Sequence, residues 1–416
     1  MKKINGTILF LLHVFFLQAQ NKPIKLDQVI DSIEKNFPEI IKYESKVQAI
    51  QAKVKGAKAW MPPTLSAGPD QFFYNPSLLK DKSDMNRAGI TLSVEQMIPN
   101  NKKLNAKKNY LQSLVVIQQN NSEWTKNTFR YYARYLYYQR VVAEKTLKLV
   151  QENKELLTML VNSSEAKFPY NQSDLSSIFK AKGKLQELKN MEIMLQASIA
   201  ESNIGLNTLM NRDVNTSFSI DTGITFKDYE PKKLIYKDTS SIKRSDILSV
   251  QNSIKSMKLN KELMSLQRRP DFGAKFNHMQ MLGMPNQYSL MGMVTIPVVP
   301  WSSKMYKSEV KSMSFEIDAM IKEKEAMQLM ALRMINEKLV MLNYGKIQLQ
   351  NYQSGIIPMY KKNFEANLIA YKQNTGNLFL LLDSWEMLLM KRMGFYNKTL
   401  EVIKLEADYE YETELK

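Results

Sequence analysis

Along most of this chain apolar residues recur at helical spacing, and the runs are unusually long. Between Lys102 and about Asn162 there is neither Pro nor Gly, and Leu104, Leu111, Leu114, Phe129, Leu136, Leu156 and Leu160 keep mostly to that period. An unbroken helix over this stretch would be roughly 90 Å long at 1.5 Å per residue. That exceeds the usual globular helix, so coiled-coil-like packing in a rod-like or tubular architecture is expected. Further helices are predicted over about Asp174–Met210, Ser302–Tyr352 and Gly376–Tyr409, with shorter ones over Pro38–Trp60 and Ser241–Gln267.

Two regions switch to a period of two. Pro63–Phe73 and Arg87–Met97 flank the polar loop Tyr74–Asn86, and Ile90, Leu92 and Val94 alternate with Gly89, Thr91, Ser93 and Glu95. Pro270–Met281 and Tyr288–Pro297 repeat the pattern through Phe272, Ala274 and Phe276, then Leu290, Gly292, Val294 and Ile296. Strands of about ten residues with this dyad suit a membrane-spanning β-barrel. A half-buried hairpin of a soluble protein reads the same way.

The order helix, strand, loop, strand, long helix, break, helix occurs twice, with a period of roughly 200 residues. In each half a Pro closes the second strand and polar residues open the long helix, Pro99-Asn100-Asn101 in one and Pro300-Trp301-Ser302-Ser303 in the other. The expected organisation is a leader over 1–20 and a first repeat over 21–212, with a strand pair at 63–97 and a helical hairpin at 102–211. A linker over 213–240 and a second repeat over 241–416 follow, the latter with a strand pair at 270–297 and a hairpin at 302–409. The fold class is mainly α with β. Two strand pairs cannot close a barrel, and open sheet edges are not tolerated in lipid, so closure needs several chains. Three copies would supply twelve strands, an even number within the usual range.

The first twenty residues bear on location. Lys2 and Lys3, the apolar run Ile8–Leu17 and the segment Gln18-Ala19-Gln20 read as a secretory leader; a buried N-terminal helix is the other reading. No Cys stands at the cleavage site, so a lipoprotein anchor is not expected. The chain holds no Cys and two His, His13 and His278, which removes disulfides, Cys-ligated metals, Cys nucleophiles and a multi-His site. Lys and Arg number 58 against 41 Asp and Glu; the net +17 falls to +15 once Lys2 and Lys3 leave with the leader. No Gly-rich phosphate loop, His–carboxylate pair or nucleophile arrangement is present, so neither an enzyme nor a cofactor is expected.

Several short motifs, in order, carry a resemblance. Leu26-Asp27-Gln28-Val29 with Asn36-Phe37-Pro38-Glu39, then Leu206-Asn207-Thr208-Leu209-Met210-Asn211-Arg212, then Ala370-Tyr371 with Leu381-Leu382-Asp383, resemble the corresponding stretches of the TolC family of outer-membrane efflux channels. Asn171 and Asn374 stand where the family tends to have Gly at the tip turns; Asn tolerates the left-handed conformation. The resemblance implies a homotrimer forming an outer-membrane β-barrel continued by a periplasmic α-helical barrel. It implies a passive duct for efflux or secretion, with a periplasmic adaptor, an inner-membrane transporter and outer-membrane lipid as partners.

It also implies a gate at the periplasmic tip, held by Asp rings and by Tyr and Arg hydrogen bonds. Tyr371 and Asp383 fall on the Tyr and on one Asp; Gly376 and Leu380 occupy the Arg and the other Asp positions. Three Asp383 carboxylates about a threefold axis would attract cations; a solvated surface Asp is the alternative. Asp174, near the other tip, is a further gate candidate, and Ser173-Asp174 equally suits a helix N-cap.

The 26 Met are more than this length usually carries. Met313, Met320, Met327, Met334 and Met341 lie seven apart on one long helix, a spacing suited to a packed seam. Met279, Met281 and Met284, with Met291 and Met293, cluster on the second strand pair. Thioethers are soft ligands for Cu(I), and Glu95–Pro99 through Leu104 resembles the heavy-metal branch of the family. Packing and soft-metal handling both remain open. Tyr131, Tyr132, Tyr135, Tyr137 and Tyr138 with Arg130, Arg134 and Arg140 suit helix-seam packing or nucleic-acid stacking. Export points to packing and to no nucleic-acid partner. A periplasmic adaptor and a structural coiled-coil rod are the rival readings of the whole chain.

Overall fold

The computed structural model describes residues 23–80, 86–170, 173–227, 229, 239 and 242–415. The expected leader over 1–20, the tip residue Asn171 and most of 228–240 in the expected linker lie outside the described residues. In chain order the elements are α1 (Leu26–Asn36), α2 (Pro38–Lys55), β1 (Thr64–Asp70), β2 (Gly89–Ile98), α3 (Asn101–Lys167) and α4 (Leu175–Leu209). These are followed by α5 (Ser245–Leu266), β3 (Phe272–Met281), β4 (Gln287–Val294), α6 (Pro300–Asn351), α7 (Ile357–Lys372) and α8 (Leu378–Thr413). Among the described residues no helix is long and apolar enough to cross a membrane.

Local chemistry sets the breaks. Phe37 separates α1 from α2 with φ −76° and ψ 122°, the extended conformation that a following proline imposes on its predecessor. The helix expected to stop near Tyr352 instead continues. A single π turn at Tyr352–Ile356 joins α6 to α7, and Pro358 occupies the first turn of α7. Proline lacks an N–H for the preceding turn, and the wider π turn just before it takes up that irregularity. Gly394 on α8 faces this turn, where a Cβ would sit 3.2 Å from the Tyr352 hydroxyl.

Contacts divide the chain into two compact units, each drawing on both sequence repeats. Of the described residues, one holds those up to Lys42, those within Glu123–Arg244 and those from Leu329 onward; the other holds those within Tyr43–Ser122 and Ser245–Gln328. The long helices α3 and α6 each contribute one part to each unit.

The first unit is helical. One of its cores gathers Val29, Ile33, Ile40, Ala133, Tyr137, Val141, Leu206, Met210, Phe218 and Ile220. The Tyr137 hydroxyl lies 3.0 and 2.9 Å from the carbonyls of Ile24 and Asp221, which a parallel bridge between Ile24 and Ile220 brings together. Burial pushes this phenol up to about 12. Arg130 pairs with Glu34 at 2.6 Å, Arg134 with Glu410, and Arg140 donates to the Phe218 carbonyl at 2.6 Å. These Tyr and Arg side chains therefore serve packing within the chain.

The Leu206–Arg212 motif has a physical role here. Asn207 is fully buried and donates to the carbonyls of Val214 and Thr216, both at 2.9 Å, while accepting from Arg212 Nε at 2.6 Å. It clamps the chain leaving α4, and Asn211 makes the turn with φ 54°.

The second unit contains one antiparallel sheet in the order β1-β2-β3-β4. Its central pairing joins β2 to β3, from Gly89 opposite Met281 to Ile98 opposite Phe272. Asp271 fastens the sheet to the start of α3, accepting from the Asn100 amide at 2.9 Å and pairing with Lys103 at 2.7 Å.

The Met stripe on α6 is not buried along its whole length. Met313 is 6% exposed and Met341 49%. A strict seven-residue repeat drifts about 20° per heptad around a straight α-helix, so the stripe rotates out of the packed seam.

Candidate functional site

The sheet has the opposite polarity to that of a soluble protein. One face carries Leu65, Ala67 and Pro69 from β1, then Ile90, Leu92, Val94 and Ile98 from β2. The register continues it through Phe272, Ala274 and Phe276 on β3 to Tyr288, Leu290 and Val294 on β4. These apolar side chains are exposed, with Leu65 at 68% and Leu290 at 73%. The other face carries Ser66, Thr91, Ser93, Glu95, Lys275, Asn277 and Ser289, and along the central strands β2 and β3 it is the sheltered one: Ser93 and Asn277 are buried, and Asn277 donates to Ser289 at 2.9 Å. Strands β2 and β3 each run ten residues, the length that crosses a bilayer when tilted. Trp60 before β1 and Trp301 after β4 are both exposed at the same end of the sheet, as interfacial tryptophans are. The outer edges of β1 and β4 carry no strand partner among the described residues.

A second site forms where the two helical hairpins pack, in the helical unit. Leu149, Leu157 and Leu160 of α3, Ile178 and Ala181 of α4, and Leu378, Leu381, Leu382 and Trp385 of α8 make one buried core. Tyr371, near the end of α7, is buried in it, with its hydroxyl 2.8 Å from Ser164 Oγ. Ser164 in turn donates to the Leu160 carbonyl at 2.7 Å, so the Tyr371 hydroxyl is the donor to Ser164 Oγ. Lys167 lies 4.6 Å over the Tyr371 ring and donates to Asn374 Oδ1 at 2.8 Å. Asn374 has φ 55°, and the Thr375 and Gly376 amides close the turn onto the Ala370 carbonyl at 2.9 and 3.0 Å. A Cβ at Gly376 would stand 3.0 Å from Ala370 Cβ, which explains the small residue at that position.

No family model matches the sequence. No curated protein matches it either. Solved structures do. The chain superposes on the CmeC outer membrane channel of Campylobacter jejuni with TM-score 0.75 at 14% identity, covering 93% of this chain and 85% of that one. Against the outer membrane protein VceC of Vibrio cholerae the TM-score is 0.74 at 12% identity, covering 93% and 95%. Against the open state of the MtrE outer membrane channel of Neisseria gonorrhoeae it is 0.72 at 13%, covering 93% and 88%. The fold is that of the TolC-family channels.

Within the TolC fold the expected gate residues take distinct places. Tyr371 is tied to the neighbouring hairpin, as described. Asp383 lies half-buried in the second turn of α8 and has no hydrogen-bond or ion-pair partner among the described residues. Phe379 and Leu380, one turn earlier, are exposed. Asp174 caps α4, accepting from the Ser176 and Ser177 amides at 3.1 and 3.0 Å and from their hydroxyls at 2.9 and 2.6 Å. The Ser177 and Ser176 hydrogen bonds hold its carboxyl down at about 2. Because the folded-state value lies below the ordinary 3.8, the cap persists above that value and is lost as pH falls through about 2. The protection of the Ser176 and Ser177 amides, measured relative to the intrinsic exchange rate at each pH, should therefore fall across that window, and Asp174→Ala should lower it already at neutral pH.

Ser164 and Lys167 were not singled out from the sequence. Nothing marks them on a helix of this length except their distance to Tyr371. Met279, Met281 and Met284 come together around one cavity at the end of the sheet, whereas His278 points to the opposite face, as neighbours on a strand must.

Proposed function

We propose that the chain is one protomer of an outer-membrane export channel. Three copies close a twelve-stranded barrel in the outer membrane, and their helical hairpins continue the duct into the periplasm. There a periplasmic adaptor and an inner-membrane transporter engage it. The observation that carries this reading is the sheet with its apolar face exposed and its polar face sheltered. Such a surface is costly in water and suited to lipid on one side and an aqueous lumen on the other. Unpaired backbone groups in hydrocarbon cost several kcal/mol each, and pairing β4 of one copy with β1 of the next removes both open edges. The protein contributes a path and a gate and no bond-making step, so it is not an enzyme.

The gate in this reading is the hairpin-tip core. Tyr371, Ser164 and Lys167 hold the second hairpin against the first, replacing the Arg and Asp that Gly376 and Leu380 displace. Asp383, whose carboxylate has no partner among the described residues, forms a cation-attracting ring about the threefold axis. The test is recovery of the full chain and its conductance in planar bilayers. Extraction from the outer membrane only with detergent, as a trimer with cation-preferring pores, is expected. Asp383→Ala should lower the cation preference and Tyr371→Phe should raise the open fraction. Recovery as a soluble periplasmic monomer, as for an adaptor, rejects the channel; unchanged selectivity in Asp383→Ala rejects the ring.

A further inference from the structure

Five methionines share the polar face of the sheet. Strand alternation puts Met97 of β2, Met279 and Met281 of β3, and Met291 and Met293 of β4 on the side of Ser93 and Asn277. At one end Met97 and Met293 close over Gly273, where a Cβ would come within 2.5 Å of Met97 Sδ and 3.0 Å of Met293 Cε. At the other end, remote from α2, α3, α5 and α6, Met279 and Met281 face a cavity of about 270 Å³, and Met284 comes over it from the β3–β4 turn. All three are half-buried, whereas Leu282 between them is 52% exposed. The apolar residue turns out, and the sulfur-bearing ones turn in.

The backbone keeps that space open. Gly89 stands opposite Met281 in the register, between it and Asp70. A Cβ there would meet the Gln280 carbonyl at 2.6 Å, so no side chain fills the row. Met279 and Met281, two residues apart on one strand face, have backbones about 6.8 Å apart, a separation that two long, flexible thioether side chains can bridge around one ion. The remaining lining is Asp70, Gln71, Arg87, Thr91 and Gln287. The Asp70 carboxylate accepts from Thr91 Oγ1 at 3.0 Å, and Arg87 brings a charge of opposite sign to the same lining.

Among the described residues no group of three or more His, Cys, Asp or Glu is placed to hold a metal. Hard and borderline divalent ions, which need carboxylates, imidazoles or thiolates, have no donor set here. Three neutral thioethers select a soft monovalent cation instead. We propose that Met279, Met281 and Met284 form a binding site for Cu(I) or Ag(I) on the polar face of the sheet. Given the channel reading, on which its meaning as a cargo site rests, the site lies at the outer mouth of the lumen, once per protomer. It then makes soft-metal ions a cargo of the duct.

The test separates sulfur from shape. Met279→Leu/Met281→Leu/Met284→Leu keeps apolar bulk and removes every donor. The detergent-solubilised full chain is titrated with Cu(I) in competition with a chromophoric Cu(I) chelator, with Zn(II) as a control. One Cu(I) per chain that the triple variant holds at least tenfold more weakly, with sulfur scattering in the copper X-ray absorption spectrum and no Zn(II) uptake, is expected. Equal Cu(I) affinity in the two proteins, or no uptake by the native chain, overturns the site. Bilayer conductance of both proteins is measured in parallel. Pores without Cu(I) binding reject the site and leave the channel standing; binding without pores rejects the channel reading and with it the cargo role.

Discussion

If the chain is the proposed trimeric channel, Phe276→Arg should leave less than a tenth of the normal amount of trimer in the outer membrane. Phe276 lies in a row across the apolar face, Leu65 opposite Val94, Val94 opposite Phe276, Phe276 opposite Leu290. That row falls near the middle of strands ten residues long, which is bilayer mid-depth if the sheet spans. A cationic side chain facing lipid there costs about 2–4 kcal/mol, and a trimer incurs it three times over. Ser66→Arg, one row away on the polar face, puts the same charge into the lumen and should assemble normally. The comparison is read from the trimer band in the outer-membrane fraction. Equal loss in both variants would mean that the exposed apolar face is not a lipid face.

Trp385→Ala should destabilise the helical unit by about 3–5 kcal/mol, the usual cost of truncating a large buried aromatic. The indole is 2% exposed at the centre of the hairpin-tip core, and its N–H donates to Asn153 Oδ1 on α3 at 2.9 Å. Truncation opens a cavity among Leu149, Leu157, Leu381 and Leu382 and also strands the Asn153 acceptor. Trp385→Phe separates the two effects, because it keeps most of the ring and loses only the hydrogen bond, worth about 1 kcal/mol. Hydrogen exchange should show the loss concentrated in the parts of α3, α7 and α8 around Tyr371. A uniform loss along α8 out to Thr413 would contradict a local core.

Much of this was legible in the residues. A helix of 67 residues was visible because nothing in Lys102–Asn162 interrupts it, and the strands were visible because Ile90, Leu92 and Val94 alternate with polar neighbours. The side chain's period is enforced by backbone geometry, so it survives in any tertiary context. The left-handed turn at Asn374 was legible for the same local reason. The continuation through Pro358 was not, because a proline reads as a stop unless the turn before it widens, and only the packed neighbour at Gly394 reveals that it does. Asp174 was readable two ways, and its four hydrogen bonds show it working as a cap.

What the sequence alone determined is the kind and order of the elements, the twofold repetition and which face of each strand is apolar. Those properties follow from spacing, which local backbone geometry converts directly into helix or strand. The tertiary structure decided what spacing cannot carry. It joined the two strand pairs through β2 and β3, cut the compact units across the repeats, and set Ser164 against Tyr371 across 207 positions of chain. It also turned the apolar face outward and sheltered the polar one. Period two says only that two faces differ; which of them meets solvent depends on how the sheet curls and on what packs behind it.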